Sequence, residues 1–104
     1  MSDDSTTLQQ LKDLQAAFVA ARDWGQYHSP KNLAMALNVE AGELLELYLW
    51  ASEGGSPGLG EPPREKVEAE LADVIICALN LANTLGVDIS DAVEAKARRN
   101  AAKY

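Results

Sequence analysis

The sequence predicts an all-α fold: one domain of four helices packed as a bundle. Three observations predict it. Hydrophobic residues make up 47% of the 104 positions but aromatics only 6%, and Ala and Leu dominate, a mixture that favours helices over sheets. Apolar residues recur every three or four positions in four separate stretches. Each of those stretches opens or closes on a local helix signal. A chain of this length can bury the core of one domain and not comfortably of two.

Charge and cysteine usage narrow the function classes. A net charge of −7 argues against a general nucleic-acid binder, which would need a basic face. An anionic small molecule stays admissible, provided a metal and a few local bases receive it. The one cysteine, Cys77, lies in an apolar run, which excludes an internal disulfide and suits a reducing compartment. No apolar run follows a basic N-terminal segment, so no signal peptide is expected. No apolar stretch reaches the roughly 18 residues of a membrane span. The expectation is a cytoplasmic protein with no nucleic-acid and no membrane partner.

Taken in order, residues 1–6 are polar and expected to be disordered, and the domain runs over 7–104. Thr7 followed by Gln10 reads as a capping box. Leu11, Leu14, Phe18 and Ala21 then form the apolar stripe of a first helix reaching about Asp23. Trp24-Gly25-Gln26-Tyr27-His28 has no helical pattern and reads as a short loop. On composition Trp24 is first a packing residue and second a platform for a nucleobase. His28 has no second His or Cys at ligand spacing.

Ser29 and Pro30 open the second helix as N-cap and first helical residue, and the pattern carries it through Trp50. On this helix Asn32, Ala36, Glu40, Glu43, Leu47 and Trp50 share one arc of about 100°. Glu46 lies at the arc's edge and reads as an ordinary solvated acid. Ser52 to Pro63, rich in Gly, Ser and Pro, reads as a loop long enough for a lid or an interface arm. Pro63 starts the third helix, which should stop at Gly86. Val67, Leu71, Val74, Ile75, Ile76, Leu79, Leu81 and Leu85 make it apolar almost all round, the pattern of a buried central helix. Its exception is a polar stripe of Glu70, Asp73, Cys77, Asn80 and Thr84. Asp88, with Asp91 three residues on, caps a last helix from Ile89 to about Ala102. That helix carries Lys96, Arg98, Arg99 and Lys103. They read either as cations favouring a helix C-terminus or as phosphate ligands.

The chemistry concentrates in two acid pairs, Glu40/Glu43 and Glu70/Asp73. The i, i+3 spacing sets both carboxylates of a pair on one helix face, and both pairs lie among apolar residues. A carboxylate facing a low-dielectric core is unfavourable unless it is paired, protonated or bound to a metal. The structural alternative for Glu70 and Asp73 is salt-bridged ends of a bundle helix. Four acids converging between two helices would need a cation. An all-oxygen donor set favours Mg²⁺ or Mn²⁺ over zinc or copper. A di-iron or di-manganese bundle would want Glu-x-x-His pairs, and the chain's one His is in a loop.

Together, Arg22-Asp23-Trp24-Gly25-Gln26-Tyr27-His28-Ser29-Pro30-Lys31-Asn32-Leu33, Glu40-x-x-Glu43 with Trp50, and Glu70-x-x-Asp73 resemble the MazG-type nucleotide pyrophosphohydrolases. The similarity runs from about Leu14 to Tyr104 and is nearest to the small single-domain branch that includes the dCTP pyrophosphatases. It implies a MazG-like four-helix bundle, a dimer or a dimer of dimers with sites completed across the interface. The implied reaction is Mg²⁺-dependent hydrolysis of a nucleoside triphosphate, dCTP or a related dNTP first, to monophosphate and pyrophosphate. It further implies that Glu40, Glu43, Glu70 and Asp73 hold the metal and form the catalytic set. Trp24 and Trp50 would contact the base, and Lys31, Lys96, Asn100 and Tyr104 the phosphates or sugar. Two departures bear on base preference: Gln15 stands where the dCTP-selective branch carries a His, and Cys77 where it carries a Tyr. A non-catalytic nucleotide-binding or dimerisation module with the same fold is the alternative.

Overall fold

The computed structural model describes residues 1–51 and 60–104, and the greater part of the loop expected over Ser52 to Pro63 lies outside them. Four α-helices and one 3-10 turn make up the described chain, with no strand among the described residues. They are α1 (Leu8–Ala21), α2 (Pro30–Glu46), α3 (Arg64–Leu85) and α4 (Ile89–Lys103).

Local signals set most helix ends. The Thr7 hydroxyl accepts from the Gln10 amide at 3.1 Å, and the Thr7 amide donates to Gln10 Oε1 at 2.7 Å, closing the capping box of α1. Ser29 Oγ accepts from the Asn32 amide at 3.1 Å ahead of Pro30, and Asp88 Oδ1 accepts from the Asp91 amide at 2.9 Å. At the end of α3, Gly86 takes a left-handed conformation, φ 68°, and the Gly86 and Val87 amides both donate to the Ala82 carbonyl. A glycine accepts that φ without a Cβ penalty.

Three expectations need correction. The segment Trp24–Tyr27 is a 3-10 turn rather than an open loop, entered through Asp23 at φ 53°. The Asn32 side chain donates to the Tyr27 carbonyl at 3.1 Å and ties this turn to α2. α2 ends at Glu46, not Trp50. Leu47 to Trp50 continue as turns whose amides reach back three residues, Tyr48 to Leu45 at 2.9 Å and Ala51 to Tyr48 at 3.1 Å. Such tightening satisfies the last carbonyls of a helix that has no capping side chain. Finally, α3 is not buried all round: Leu71, Ile75 and Leu85 are about half exposed.

α3 is nonetheless the centre of the chain. α2 lies along one side of it and α1 packs on another. Leu33 of α2 meets Leu79 and Ala82 of α3 as the residues most fully removed from water. Asn83 Nδ2 donates to the Lys12 carbonyl at 2.9 Å, and Lys12 Nζ donates to the Val87 carbonyl at 2.9 Å, pinning α1 across the end of α3. α4 leaves α3 at a bend of 106° and, past Ile89, is exposed along its whole length. Within one chain the four helices are therefore three packed members and one that projects. No single described helix is long and apolar enough to cross a membrane.

Candidate active site

The antiparallel placement of α2 on α3 brings the two acid pairs face to face. Glu40, Glu43 and Glu70 each present a carboxylate oxygen, and these oxygens all lie within 4.8 Å of one another. Glu40 Oε2 and Glu70 Oε2 are shut off from water without a hydrogen-bond partner among the described residues. Glu43 is the exposed member of the trio. Asp73, one helical turn beyond Glu70 and half-buried, stays outside the trio, yet its charge bears on both Glu40 and Glu70.

The electrostatics follow from this crowding. Burial, a side-chain hydrogen bond with Glu43, and the charges of Glu43, Asp73 and Glu70 push the Glu40 carboxyl up to about 7. Burial and then the Glu43 charge raise Glu70 as well. Like charges held close favour the protonated form. Burial, Glu40 and Asp73 push the Cys77 thiol up, which places Cys77 beside the acids on the same stripe of α3. No Lys or Arg forms an ion pair with these acids among the described residues; the two ion pairs there are Arg64–Glu68 and Arg98–Glu94, each along one helix. The salt-bridge alternative for Glu70 and Asp73 therefore finds no partner in the described chain. Two orphaned, water-shielded carboxylate oxygens converging with a third acid fit a hard divalent cation.

The remaining expected residues stand apart from the acids within one chain. Trp24 packs edge-on against Phe18, with ring centres 5.5 Å apart, and the Arg22 guanidinium lies 3.6 Å from the Phe18 ring centre. Trp50 is 74% exposed in the turns after α2. Lys31 lies exposed in the first turn of α2. Lys96 and Asn100 are exposed on the projecting α4, and Tyr104 follows it, 91% exposed and 5.2 Å from Lys103 Nζ. Glu46 is exposed and outside the trio. Sequence reading did not single out the polar cavity beside the Trp24 turn, which involves Asp23, His28 and Asn83. Its one sequence signal is the run of Asn80, Asn83 and Thr84 interrupting an apolar helix.

Residues 35–104 match the MazG-like family. The chain belongs to the MazG-like family. It is 42% identical over 100 residues to human dCTP pyrophosphatase 1 and 41% identical to the mouse protein, matches that cover 94% of this chain and 59% of each relative. The chain thus spans about three-fifths of the length of these curated relatives. A crystal structure of a pyrophosphatase from Archaeoglobus fulgidus superposes with a TM-score of 0.83 at 30% identity, covering 100% of this chain and 97% of that one. The MazG-like similarity extends over α1 to α4, so the acid cluster and the projecting α4 both belong to the shared fold.

Proposed function

We propose that this MazG-like chain hydrolyses nucleoside triphosphates to monophosphate and pyrophosphate, with dCTP or a related deoxynucleotide as substrate. The observation that carries the reading is the convergence of Glu40, Glu43 and Glu70, two of them with orphaned oxygens, on the apolar seam between α2 and α3. Glu40, Glu43, Glu70 and Asp73 would hold Mg²⁺, or Mn²⁺ in its place. When bound, the cation neutralises phosphate charge and acidifies water. The names of the dCTP pyrophosphatase relatives support the substrate class.

The chain's own groups divide the rest of the work. Glu43, exposed at the edge of the cluster, accepts the proton of the attacking water at its free carboxylate oxygen. Glu40 and Glu70 remain fixed between the helices as anchors. Lys31, Lys96, Asn100 and Tyr104 contact the phosphates or the sugar, and Trp24 and Trp50 the base. Trp50 and the α4 residues are delivered to the acids of a second copy, so the working form is a homodimer or homotetramer. The exposed apolar faces of α1, α3 and α4 support that reading.

Glu43→Gln and Asp73→Ala test the reaction. Each is expected to lower pyrophosphate release by at least about a hundredfold, the lower range for losing a general base, while circular dichroism stays helical. Full activity in either variant would contradict the assignment.

A further inference from the structure

A second feature lies on the same polar stripe of α3, further from the acids. Between the second half of α1, the Trp24 turn and the last turns of α3 is a cavity of about 370 Å³. Ala16 and Ala20 give it one apolar wall, while His28, Asn80, Asn83 and Thr84 supply amide, imidazole and hydroxyl groups. Asp23 and Gly25 close the end at the turn.

The cavity's polar groups are not all committed to holding the fold. Asn83 spends its amide donor on the Lys12 carbonyl, so its role is to fix α1 across α3. Asn80 is half-buried and has no hydrogen-bond partner among the described residues. A shielded amide without a partner is unfavourable, and such groups are ordinarily met by water or a ligand. Asp23 holds a left-handed backbone, φ 53°, which Asp adopts more readily than most residues. That conformation starts the turn and sets the Asp23 carboxylate, which is acceptor-only, at the cavity's end.

Position along the helix connects this cavity to the acids. Asp73, Cys77, Asn80 and Thr84 follow one another down one stripe, and Cys77 lies close enough to Glu40 and Asp73 to feel both charges. Seven residues separate Asp73 from Asn80, about 10 Å along a helix axis. A nucleoside attached to a phosphate chain held at the acids would reach that far. Alanine methyls suit the face of a flat ring, and the amide and carboxylate suit its polar edge and the sugar hydroxyls.

We propose that this cavity receives the nucleoside end of the substrate and that Asn80 is a specificity-determining residue, reading the base edge. The inference rests on the pyrophosphohydrolase reading. Steady-state kinetics of wild type, Asn80→Ala and Ala20→Phe on the common deoxynucleoside triphosphates test it. Inhibition by inorganic tripolyphosphate, which has no nucleoside, is measured alongside. Asn80→Ala should raise KM for the best substrate by about three- to tenfold, the loss of one neutral hydrogen bond, and less for the others, so that the base ranking narrows. Ala20→Phe, which fills the cavity, should raise KM for every base. Tripolyphosphate inhibition should match wild type in both. Unchanged KM values and ranking in both variants would overturn the inference while leaving the reaction intact. Weakening of tripolyphosphate inhibition in parallel with KM would also overturn it, because the variants would then act on the phosphate site. No turnover of any triphosphate by wild type would defeat the reaction reading, and the inference with it.

Discussion

Glu40 and Glu70 each hold one carboxylate oxygen away from water with nothing among the described residues to hydrogen-bond it, and Glu43 crowds both. The Glu40 carboxyl is raised to about 7 from an ordinary 4.5. Between those values the folded chain binds more protons at Glu40 than the unfolded chain does. Its contribution to stability is therefore fully present below about 4.5 and is lost as pH rises through about 7. Without divalent metal, the melting temperature is expected to fall as pH rises across that window. Saturating Mg²⁺ should remove the fall. At pH 7.5 and a hundredfold excess over Kd, Mg²⁺ should raise Tm by about 10 °C or more, from mass action on the folded state. Melting that ignores both pH and Mg²⁺ would contradict a cation site at these acids. The acid pairs could be read from the sequence because i, i+3 spacing is a property of one helix. That Asp73 stands outside the closest trio depends on how α2 lies across α3, which no single helix records. Asp23 and His28 went unremarked for the same reason: they join Asn80 only because α1 crosses the end of α3.

Among the elements, the helix starts were readable because their causes are local. Thr7 with Gln10, Ser29 with Pro30, and Asp88 with Asp91 each satisfy orphan amides within three residues. Gly86 is the equivalent at a helix end, and it also sets the direction in which α4 departs. Gly86→Ala is expected to cost about 1 kcal/mol, the usual penalty of a Cβ at a left-handed position, and to lower Tm by about 4–8 °C in calorimetry. No space is short there, since nothing lies within 4 Å of an added Cβ, so a larger loss would implicate the α4 geometry rather than the residue itself. The end of α2 was not readable. Leu47 to Trp50 extend the apolar pattern past Glu46, but no described residue packs on Leu49 or Trp50 closely enough to bury either, and the backbone tightens instead. Periodicity reports which residues need cover and is silent on which molecule provides it. The half-exposed Leu71 and Ile75 of α3 follow from that distinction.

At the scale of the molecule, one chain is too open to be self-sufficient. Its radius of gyration is 16.4 Å, against about 13 Å for a compact chain of this length. Its accessible surface is 7851 Å², about 2,000 Å² more than a folded monomer of this mass would show. An excess of that size is what an obligate interface buries. Light scattering should therefore give two or four chain masses, and Leu71→Glu together with Ile75→Glu should lower that mass or leave the protein insoluble. A mass of one chain for the unaltered protein would contradict the assembly and, with it, the delivery of Trp50 and α4 to a second copy's acids. The central claim is that the acids of α2 and α3 support cleavage of a triphosphate into monophosphate and pyrophosphate. Its most direct test is chromatographic separation of products after incubation with a panel of deoxy- and ribonucleoside triphosphates, with Mg²⁺ and with chelator. The account predicts monophosphate and pyrophosphate in equal amounts, abolished by chelator. Diphosphate and phosphate, or intact nucleotide bound without turnover, would contradict it.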